Sequence, residues 1–119
     1  MVSSASQGRL AEDEALSLLQ ARGLRLIDRN YRSRFGEIDL IMKDGHTLVF
    51  VEVRYRRSIR YGTPQESVTQ RKQSRLLVTA ACYLKEKRID CPVRFDVAAL
   101  SPAGDGMSLN WIKSAFDAG

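Results

Sequence analysis

The sequence predicts an α/β sandwich, in which a central mixed sheet is flanked by helices. Two observations favour this fold class. The hydrophobic spacing indicates the order helix, three strands, helix, strand, and a helix separates the fourth strand from the third. Because such a crossover permits parallel pairing, the sheet is expected to be mixed. The 119 residues, 44% of them hydrophobic, suffice for a single domain with a packed core.

Two amphipathic helices are predicted from apolar spacing and from end signals. The first runs from about Gln7 to Arg22 and stops at Gly23. The second is expected to begin at Thr63–Glu66, where a capping threonine precedes a proline at the first helical position and a glutamate at the third. It extends to about Lys87 and carries an apolar stripe for packing beside a basic stripe.

The strands outside the central hairpin are less sharply bounded. Residues 24–32 predict the first strand, and residues 92–100 predict the fourth. The following SPAGDG segment is expected to be a loop. Residues 107–112 are expected to add a short edge strand before a brief helical tail through Phe116.

The hairpin at residues 36–56 is unusual because Glu37, Asp39 and Glu52 interrupt strands that are otherwise β-branched and aliphatic. Strand interiors disfavour these residues, and a buried carboxylate is costly without a cation or hydrogen-bond donors. A bound metal is one such compensation. The alternative is that the acids are exposed residues of a half-buried sheet, paired with nearby arginines or lysines.

The dipeptide Asp44-Gly45 predicts a two-residue turn, which fixes the register of the hairpin. With this turn Lys43 faces His46. The same register predicts three further pairs, which are Glu37 with Glu52, Asp39 with Phe50 and Arg54 with Phe35.

The period of two in this register sorts the hairpin side chains into two faces. One face carries three acids and a cation: Glu37, Asp39, Glu52 and Arg54. The other face is apolar and is expected to pack on a helix through Ile38, Leu40, Val49, Val51 and Val53. Three apolar residues on the acids' own face indicate that this face is covered too: Ile41, Leu48 and Phe50.

The formal net charge is +5, and basic side chains cluster around the hairpin and on the following helix. The candidate nucleic-acid-binding residues are Arg34, Arg56, Arg57, Arg60, Arg71, Lys72 and Arg75. Tyrosines interleave with them at Tyr31, Tyr55 and Tyr61. This mixture suits phosphate contact and base stacking, so DNA is the expected partner, although a basic face can also serve solubility alone.

Other functional classes find little support in the sequence. Cys82 and Cys91 have no metal-ligand neighbours and are expected to be reduced structural thiols. His46 lies at the turn and is not expected to be catalytic, and no nucleophile, zinc or P-loop pattern is present. No apolar run is long enough to cross a bilayer and the N-terminus has no signal-peptide core, so we predict no membrane contact and a cytoplasmic location.

Several segments in order carry a resemblance to a known family. They are Glu12-x-x-Ala15, Arg29-Asn30, GEIDLI at 36–41, FVEVR at 50–54, Ala81-x-Tyr83-Leu84 and RFDV at 94–97. Through them the chain resembles the YraN-like family of uncharacterised bacterial proteins over nearly all of residues 8–100. Asp39, followed after twelve residues by Glu52-Val53-Arg54, is similar to the PD-(D/E)XK nuclease motif. The resemblance implies a restriction-endonuclease-like αβββαβ sandwich.

The nuclease resemblance also implies a metal site. Asp39, Glu52 and the Val53 carbonyl would hold Mg²⁺ or Mn²⁺ through oxygen ligands. Glu12 is the candidate extra carboxylate on the first helix, although a first-turn acid is also favoured there by the helix dipole alone. Glu37 is a weaker candidate for a ligand or a water-orienting residue.

Arg54 departs from the superfamily motif, which normally ends in lysine. Arginine stays protonated and can act only as a fixed cation that clamps phosphate. Lys72 on the second helix is a candidate replacement for proton transfer, and its alternative role is that of a solvated helix lysine. Arg94 and Asp96 share one face of the fourth strand and are expected to form an ion pair that buttresses the site.

These residues support three hypotheses. The first is a metal-dependent DNA endonuclease or resolvase-like enzyme that hydrolyses phosphodiester bonds, with branched and single-stranded DNA as candidate substrates. The second is a non-catalytic nucleic-acid-binding module on a nuclease-like scaffold, silent because of Arg54. The third is an interaction protein that uses its helix faces. A homodimer would suit the first hypothesis, since cutting two strands usually requires two active sites.

Overall fold

A five-stranded mixed sheet with two helices forms the part of the chain that the structure describes. The structure is a computed structural model, which describes residues 4–56 and 68–117, with side chains from residue 8. The helices are α1 (Ser4–Ala21) and α2 (Gln70–Lys87). The strands are β1 (Arg25–Ser33), β2 (Gly36–Asp44), β3 (Thr47–Tyr55), β4 (Val93–Ala103) and β5 (Gly106–Phe116).

The strands lie in the sheet in chain order, from β1 to β5. Neighbouring strands pair antiparallel, except that β3 and β4 are parallel, because α2 crosses over between them. The predicted order of helix, three-stranded meander, helix and parallel strand is therefore confirmed, and the α/β sandwich with it.

A helix packs on each face of the sheet. On one face α1 contributes Ala11, Ala15 and Leu19, spaced by four residues, to a buried cluster. On the other face α2 contributes Leu76, Ala80 and Tyr83. The apolar hairpin residues divide between these clusters, with Leu40, Val49 and Val51 under α1, and Ile41, Leu48 and Phe50 under α2.

This division confirms that the face carrying the acids is covered. It also corrects the placement of Ile38, which belongs to the α2 cluster rather than to the same face as Leu40. Strict alternation is therefore lost at the start of β2. On the neighbouring strand, Asn30 adopts a positive φ of 54°.

The register of the hairpin differs from the prediction by two residues. Asp44 pairs with Thr47, so the loop is Gly45-His46 rather than Asp44-Gly45. Gly45 holds a positive φ of 61° at the first loop position, which a glycine tolerates without steric cost. Phe50 consequently pairs with Ile41, not with Asp39.

The other two predicted pairs also change in this register. Glu37 pairs with Arg32 on β1, and β2 begins at Gly36, so Phe35 lies outside it. A shift of two residues preserves which side chains share a face, and for that reason most of the face assignments survive the error.

The described part of α2 begins later than predicted. Thr69 is its N-cap and accepts a hydrogen bond from the Lys72 N–H, while Val68 lies outside the helix and is buried. A continuous helix from the predicted start to Lys87 is therefore wrong, although Thr63–Glu66 themselves lie outside the described residues. The predicted end at Lys87 is confirmed.

The C-terminal region is a long strand rather than a loop, a short strand and a helical tail. β4 and β5 form a hairpin that turns at Gly104, and β5 continues through Phe116. The Phe116 ring stacks on Phe95 of β4 at 5.1 Å between ring centres. Burial of these apolar side chains against β4 keeps the segment extended.

Candidate active site

Asp39 and Glu52 lie side by side where the paired part of the hairpin ends. The last backbone pair between β2 and β3 is Leu40 with Val51, and the next residues along the two strands are Asp39 and Glu52. The Val53 N–H donates a hydrogen bond of 2.8 Å to Asp39 Oδ2, which ties the acid to the neighbouring strand. The corrected register thus brings together the two residues predicted as metal ligands.

Glu52 is almost fully buried, and two cations approach the same carboxylate oxygen. Only 5% of its side chain is exposed. Lys72 Nζ lies 2.9 Å from Oε1, whereas Arg54 Nε lies 3.6 Å from it. Since 2.9 Å is hydrogen-bond distance and 3.6 Å is not, the lysine from α2 is the closer partner.

The charge on Asp39 is disfavoured by its surroundings. Burial and then the negative charge of Glu52 raise its pKa from the ordinary 3.8 to about 7, and Glu12 adds to this rise. The hydrogen bond from Val53 and the charge of Lys72 act in the opposite direction without overcoming it. Two carboxylates therefore share a site in which both cannot ionise without penalty, an arrangement frequent at functional sites.

Glu12 reaches the same region from α1. It follows the buried Ala11, so the face of α1 that packs on the sheet also carries this carboxylate inward. Its Oε1 atom is buried and has no hydrogen-bond partner among the described residues, and Arg29 Nη2 approaches it only to 3.7 Å. Burial raises the pKa of Glu12 and the charge of Glu37 adds to the rise, whereas the charge of Arg29 and side-chain hydrogen bonding by Asn30 and Arg29 oppose it. We call Glu12, Asp39 and Glu52 the acid site.

Glu37, a weaker candidate for a ligand or a water-orienting residue, is exposed rather than buried beside Glu52. Its side chain is 55% exposed and forms an ion pair with Arg32, at 3.2 Å from Nε to Oε2. It lines an open cleft with Glu12 and Asn30, of about 600 Å³. Glu37 therefore acts on the acid site through its charge at the rim of this cleft.

The acid site has features that fit a divalent cation, and one that does not. Three carboxylates supply hard oxygen ligands, one of them an unpartnered buried oxygen on Glu12, and the raised pKa of Asp39 is a conflict that a dication would relieve. Against this, no three carboxylate, histidine or cysteine side chains within residues 4–56 and 68–117 are grouped closely enough to hold a metal. Lys72 supplies the positive charge beside Glu52.

Four of the candidate nucleic-acid-binding residues line two adjoining clefts. Arg71, Lys72 and Arg75 line a cleft of about 320 Å³ beside the first residues of β2. Arg34 and Arg75 line a second cleft of about 630 Å³. Arg56 follows β3 and donates its backbone N–H to Leu100 at 2.8 Å. Arg57, Arg60 and Tyr61 lie outside the described residues.

Tyr31, one of the tyrosines expected to stack on bases, is engaged within the fold. Its hydroxyl donates to Glu86 at 2.6 Å, and its ring packs edge-on against Tyr83 at 4.9 Å. The carboxylate beside it raises the pKa of Tyr31 to about 12. Tyr55, another of these tyrosines, is 37% exposed, and an aromatic ring that sequence reasoning missed, that of Phe35, is 43% exposed. A phenylalanine between Arg34 and Gly36, within a turn, was the available signal.

The predicted ion pair between Arg94 and Asp96 is present, but it does not buttress the acid site. Arg94 also contacts Asp44 at 2.9 Å, next to the β2–β3 turn. Asp96 pairs with Val51, the neighbour of Glu52 on β3, but within the described residues the ion pair makes no contact with Glu12, Asp39 or Glu52. The other partners of Asp96 are Trp111 and Ser114 of β5. The pair therefore fastens β4 to its neighbours in the sheet.

Neither helix in the described ranges has the length and apolar character needed to span a membrane.

Known proteins similar to this chain cover nearly its whole length. A UPF0102 protein of Methylococcus capsulatus is 53% identical over 111 residues, which cover 93% of this chain and 90% of the relative. A UPF0102 protein of Chromohalobacter salexigens is 49% identical over 115 residues, covering 97% and 94% of the two chains. One of Pseudomonas syringae pv. tomato is 51% identical over 117 residues, covering 92% and 91%.

The family profile agrees with these relatives. Residues 11–100 match the uncharacterised protein family UPF0102, and this range contains the whole acid site together with α2 and most of β4. The chain therefore belongs to the uncharacterised protein family UPF0102, the YraN-like family that its sequence motifs resemble.

Proposed function

We propose that this protein is a metal-dependent endonuclease that hydrolyses phosphodiester bonds in DNA. The observation that carries the proposal is the meeting of Asp39, Glu52 and Lys72: two acids on adjacent strands, with a lysine amino group 2.9 Å from one of them. Two adjacent acids, one buried and one half-buried, cost stability, and local conflicts of this kind concentrate at functional sites. The two adjoining clefts that begin at Lys72 are lined by four basic residues and by one acid, Glu37, and this excess of positive charge suits a polyanionic substrate.

Asp39 and Glu52 are the residues that would hold Mg²⁺ or Mn²⁺, with the Val53 carbonyl and Glu12 as further candidate ligands. When bound, the ion would supply Lewis acidity, lowering the pKa of a ligated water and offsetting phosphate charge. The protein's own part is to fix the carboxylates. The Val53 N–H holds one oxygen of Asp39, and the sheet fixes Glu52 next to it.

Lys72 is proposed to take the role of the lysine that the motif lacks. Arg54 cannot exchange a proton at neutral pH, but its planar guanidinium can clamp a phosphate through two hydrogen bonds. Lys72 reaches the site from α2 and is closer to Glu52 than Arg54 is. The lysine is thus placed to orient water and to donate a hydrogen bond to a phosphate oxygen, while Arg54 remains a fixed cation.

Cleavage assays with a metal series test the proposal most directly. Purified protein is incubated with single-stranded, duplex, flap and four-way-junction DNA in Mg²⁺, in Mn²⁺ and in EDTA. We expect cleavage that requires the divalent ion. Asp39→Asn and Glu52→Gln should each reduce the rate by about a thousandfold or more, since each removes a negatively charged ligand.

Asp105→Asn is the matched control for these two variants. Asp105 is an exposed acid in the β4–β5 turn, so its loss should leave cleavage unchanged. Failure to cut any substrate with either ion would contradict the proposal. Full activity in Asp39→Asn or in Glu52→Gln would remove that residue from the metal site.

A non-catalytic nucleic-acid-binding module is the second candidate. It is favoured by Arg54 in the lysine position and by Lys72, which already offsets the charge of Glu52. Such a module would bind DNA in EDTA as strongly as in Mg²⁺, without cleavage. Its affinity should fall steeply as salt rises, because phosphate contacts release counterions, and a flat salt response would contradict it.

Homodimer formation stays a prediction of the endonuclease proposal. Cutting both strands with one small domain would call for two acid sites in one assembly. Sedimentation velocity with and without junction DNA tests it, and a strict monomer that still makes double-strand cuts would contradict it.

A further inference from the structure

A groove lies between the β1–β2 turn and α2, beside the acid site. Its lining residues, which define the Phe35 groove, are Ser33, Arg34, Phe35, Gly36, Ser74, Arg75 and Val78. The groove has a volume of about 630 Å³ and opens to solvent. Neither the metal site nor the Lys72 contact uses it.

Polar contacts of Ser33 hold the β1–β2 turn against α2, and the Phe35 ring in this turn is exposed. Ser33 Oγ accepts a hydrogen bond from the Phe35 N–H at 3.1 Å and lies 3.2 Å from Thr79 Oγ1 of α2. A Cβ atom at Gly36 would meet Thr79 Oγ1 at 3.4 Å and Arg75 Cβ at 3.5 Å. These are ordinary van der Waals distances, so the turn lies in direct contact with α2 and presents Phe35 beside it.

The Phe35 groove combines exposed apolar surface with positive charge. Phe35 and Val78 are each 43% exposed, although burying such side chains is favourable. The Arg34 guanidinium lies over the Phe35 ring at 5.0 Å, and Arg75 forms part of the wall. No carboxylate is among the lining residues of this groove. An aromatic platform flanked by arginines suits a base together with its phosphate.

The Phe35 groove leads toward the acid site. The adjoining cleft shares Gly36 and Arg75 with it and is also lined by Lys72. Lys72 in turn contacts Glu52. A strand that follows α2 from Phe35 would therefore pass Arg75 and Lys72 on its way to the carboxylates. This continuity favours nucleic acid over an unrelated protein partner as the occupant.

We propose that the Phe35 groove binds an unpaired nucleotide next to the scissile phosphate, with the base stacked on Phe35 and the phosphate held by Arg34 and Arg75. A base within a duplex already has both faces stacked on its neighbours, so only an unpaired base can use this platform. The substrate class is then single-stranded or branched DNA with unpaired nucleotides. The inference rests on the proposed function of the acid site.

DNA binding in EDTA tests the inference without requiring cleavage. Fluorescence anisotropy compares a labelled single-stranded oligonucleotide with the duplex of the same sequence. Phe35→Ala should weaken single-strand binding by about tenfold, the order expected for one lost stacking contact, and leave duplex binding unchanged. Ile27→Ala is the matched control, because Ile27 is 41% exposed on β1 and does not line the groove.

A second readout addresses stacking itself and protects against misfolding. An oligonucleotide that carries 2-aminopurine should lose fluorescence on binding the wild type and regain it with Phe35→Ala. If Phe35→Ala does not fold, Phe35→Leu keeps the apolar bulk and removes the flat ring, and it should weaken single-strand binding in the same direction.

Each outcome separates the groove from the acid site. Wild-type single-strand affinity in both Phe35 variants would overturn the inference, even if cleavage that depends on Asp39 is found. An equal loss for single strand and duplex, or no DNA binding by the wild type, would overturn it too. If Phe35→Ala changes the sedimentation of the protein and not its DNA binding, the groove is instead a contact with a second copy of the chain. A selective single-strand loss without any cleavage would support the groove and contradict the endonuclease proposal.

Discussion

Asp96 and Asp39 are acids of the same sheet, the first buried and the second half-buried, and their surroundings compensate the two charges to different extents. Asp96 on β4 is fully buried and is surrounded by donors: Arg94 Nε lies 3.1 Å from both carboxylate oxygens, and the Trp111 indole and the Ser114 N–H each donate at 2.9 Å. Asp39 accepts a bond from Val53 but stands next to Glu52, and its pKa is raised by burial and by that neighbour.

The difference teaches how a structural acid can be told from a candidate catalytic acid. At Asp96 the donors match the acceptor oxygens, so burial of the charge is compensated within the fold. At the acid site the charge of Asp39 faces that of Glu52, and its pKa is raised. Buried side-chain atoms without a hydrogen-bond partner among the described residues occur at both places, Glu12 Oε1 at the acid site and Arg94 Nη2 beside Asp96, so they do not separate the two acids. Under the proposed function, a bound metal ion would supply the positive charge that this pair of carboxylates lacks.

The largest effect on stability is expected at Asp96, whose carboxylate oxygens both accept hydrogen bonds. Asp96→Ala should lower the free energy of unfolding by about 3 kcal/mol or more, because it leaves the Arg94 charge and the Trp111 donor buried with fewer partners. Urea denaturation followed by circular dichroism measures this change. Asp105→Ala, at an exposed turn, should change it by less than about 0.5 kcal/mol. Equal stability of the two variants would erase the contrast between the two acids.

The next effect concerns the cation at the acid site. Lys72→Met should reduce the rate of cleavage by about a hundredfold, since it removes a proton carrier and a hydrogen-bond donor while keeping the stem of the side chain. Single-turnover cleavage rates measure the effect. Lys87→Met is the control, because Lys87 is an exposed lysine at the far end of α2. Unchanged cleavage in Lys72→Met would leave Arg54 as the functional cation and return Lys72 to a structural role.

A smaller effect of opposite sign is expected for the stability of Asp39→Asn. The amide keeps an acceptor for the Val53 N–H and removes a charge that faces Glu52, so it should raise the free energy of unfolding by about 1 kcal/mol or more at neutral pH without metal. The folded pKa of Asp39, about 7, lies above the ordinary 3.8. The wild type therefore loses stability as pH rises between these values, and the advantage of the amide grows over that window.

Thermal melts of wild type and Asp39→Asn across this pH range, in EDTA, measure the effect. The difference in melting temperature should be near zero at pH 4 and level off above about pH 7. Mg²⁺ should raise the melting temperature of the wild type and not that of the variant. A variant that is less stable than the wild type at every pH would mean that Asp39 is a structural acid like Asp96.

The smallest effect is expected at Glu37. Its ion pair with Arg32 joins two well-exposed side chains, and such pairs contribute only about 0.2–1 kcal/mol. Glu37→Gln should change the free energy of unfolding within this range and slow cleavage by less than about tenfold, through loss of a charge near Glu12. The same denaturation and cleavage measurements apply. A loss as large as that of Glu52→Gln would place Glu37 among the ligands.

Much of the fold was predictable because its signals are local. The spacing of apolar residues in α1, the alternation in β2 and β3, and the helix between β3 and β4 each follow from short stretches of sequence. The register of the hairpin was predicted wrongly because two different turns fit the local sequence equally well. A glycine can occupy either loop position, so Asp44-Gly45 and Gly45-His46 were both acceptable turns, and packing selected the second.

The acid site was predictable in composition and not in geometry. The sequence identified Asp39, Glu52 and Glu12 as candidates, and it placed Glu37 opposite Glu52, which the observed register corrects. Phe35 was missed because one aromatic residue in a turn carries no pattern. Its exposure becomes informative only when α2 is seen to form the other wall of the groove.

The sequence by itself determined the sandwich architecture, the family and the residues able to carry the chemistry, because these depend on periodicity, composition and the order of motifs. Only the tertiary structure decided that Asp39 adjoins Glu52 and that Lys72 lies closer to Glu52 than Arg54 does. It also decided that Asp96 takes its hydrogen bonds from other residues, among them Trp111. Those outcomes depend on contacts between residues far apart in the chain, which local patterns do not encode and which core packing fixes.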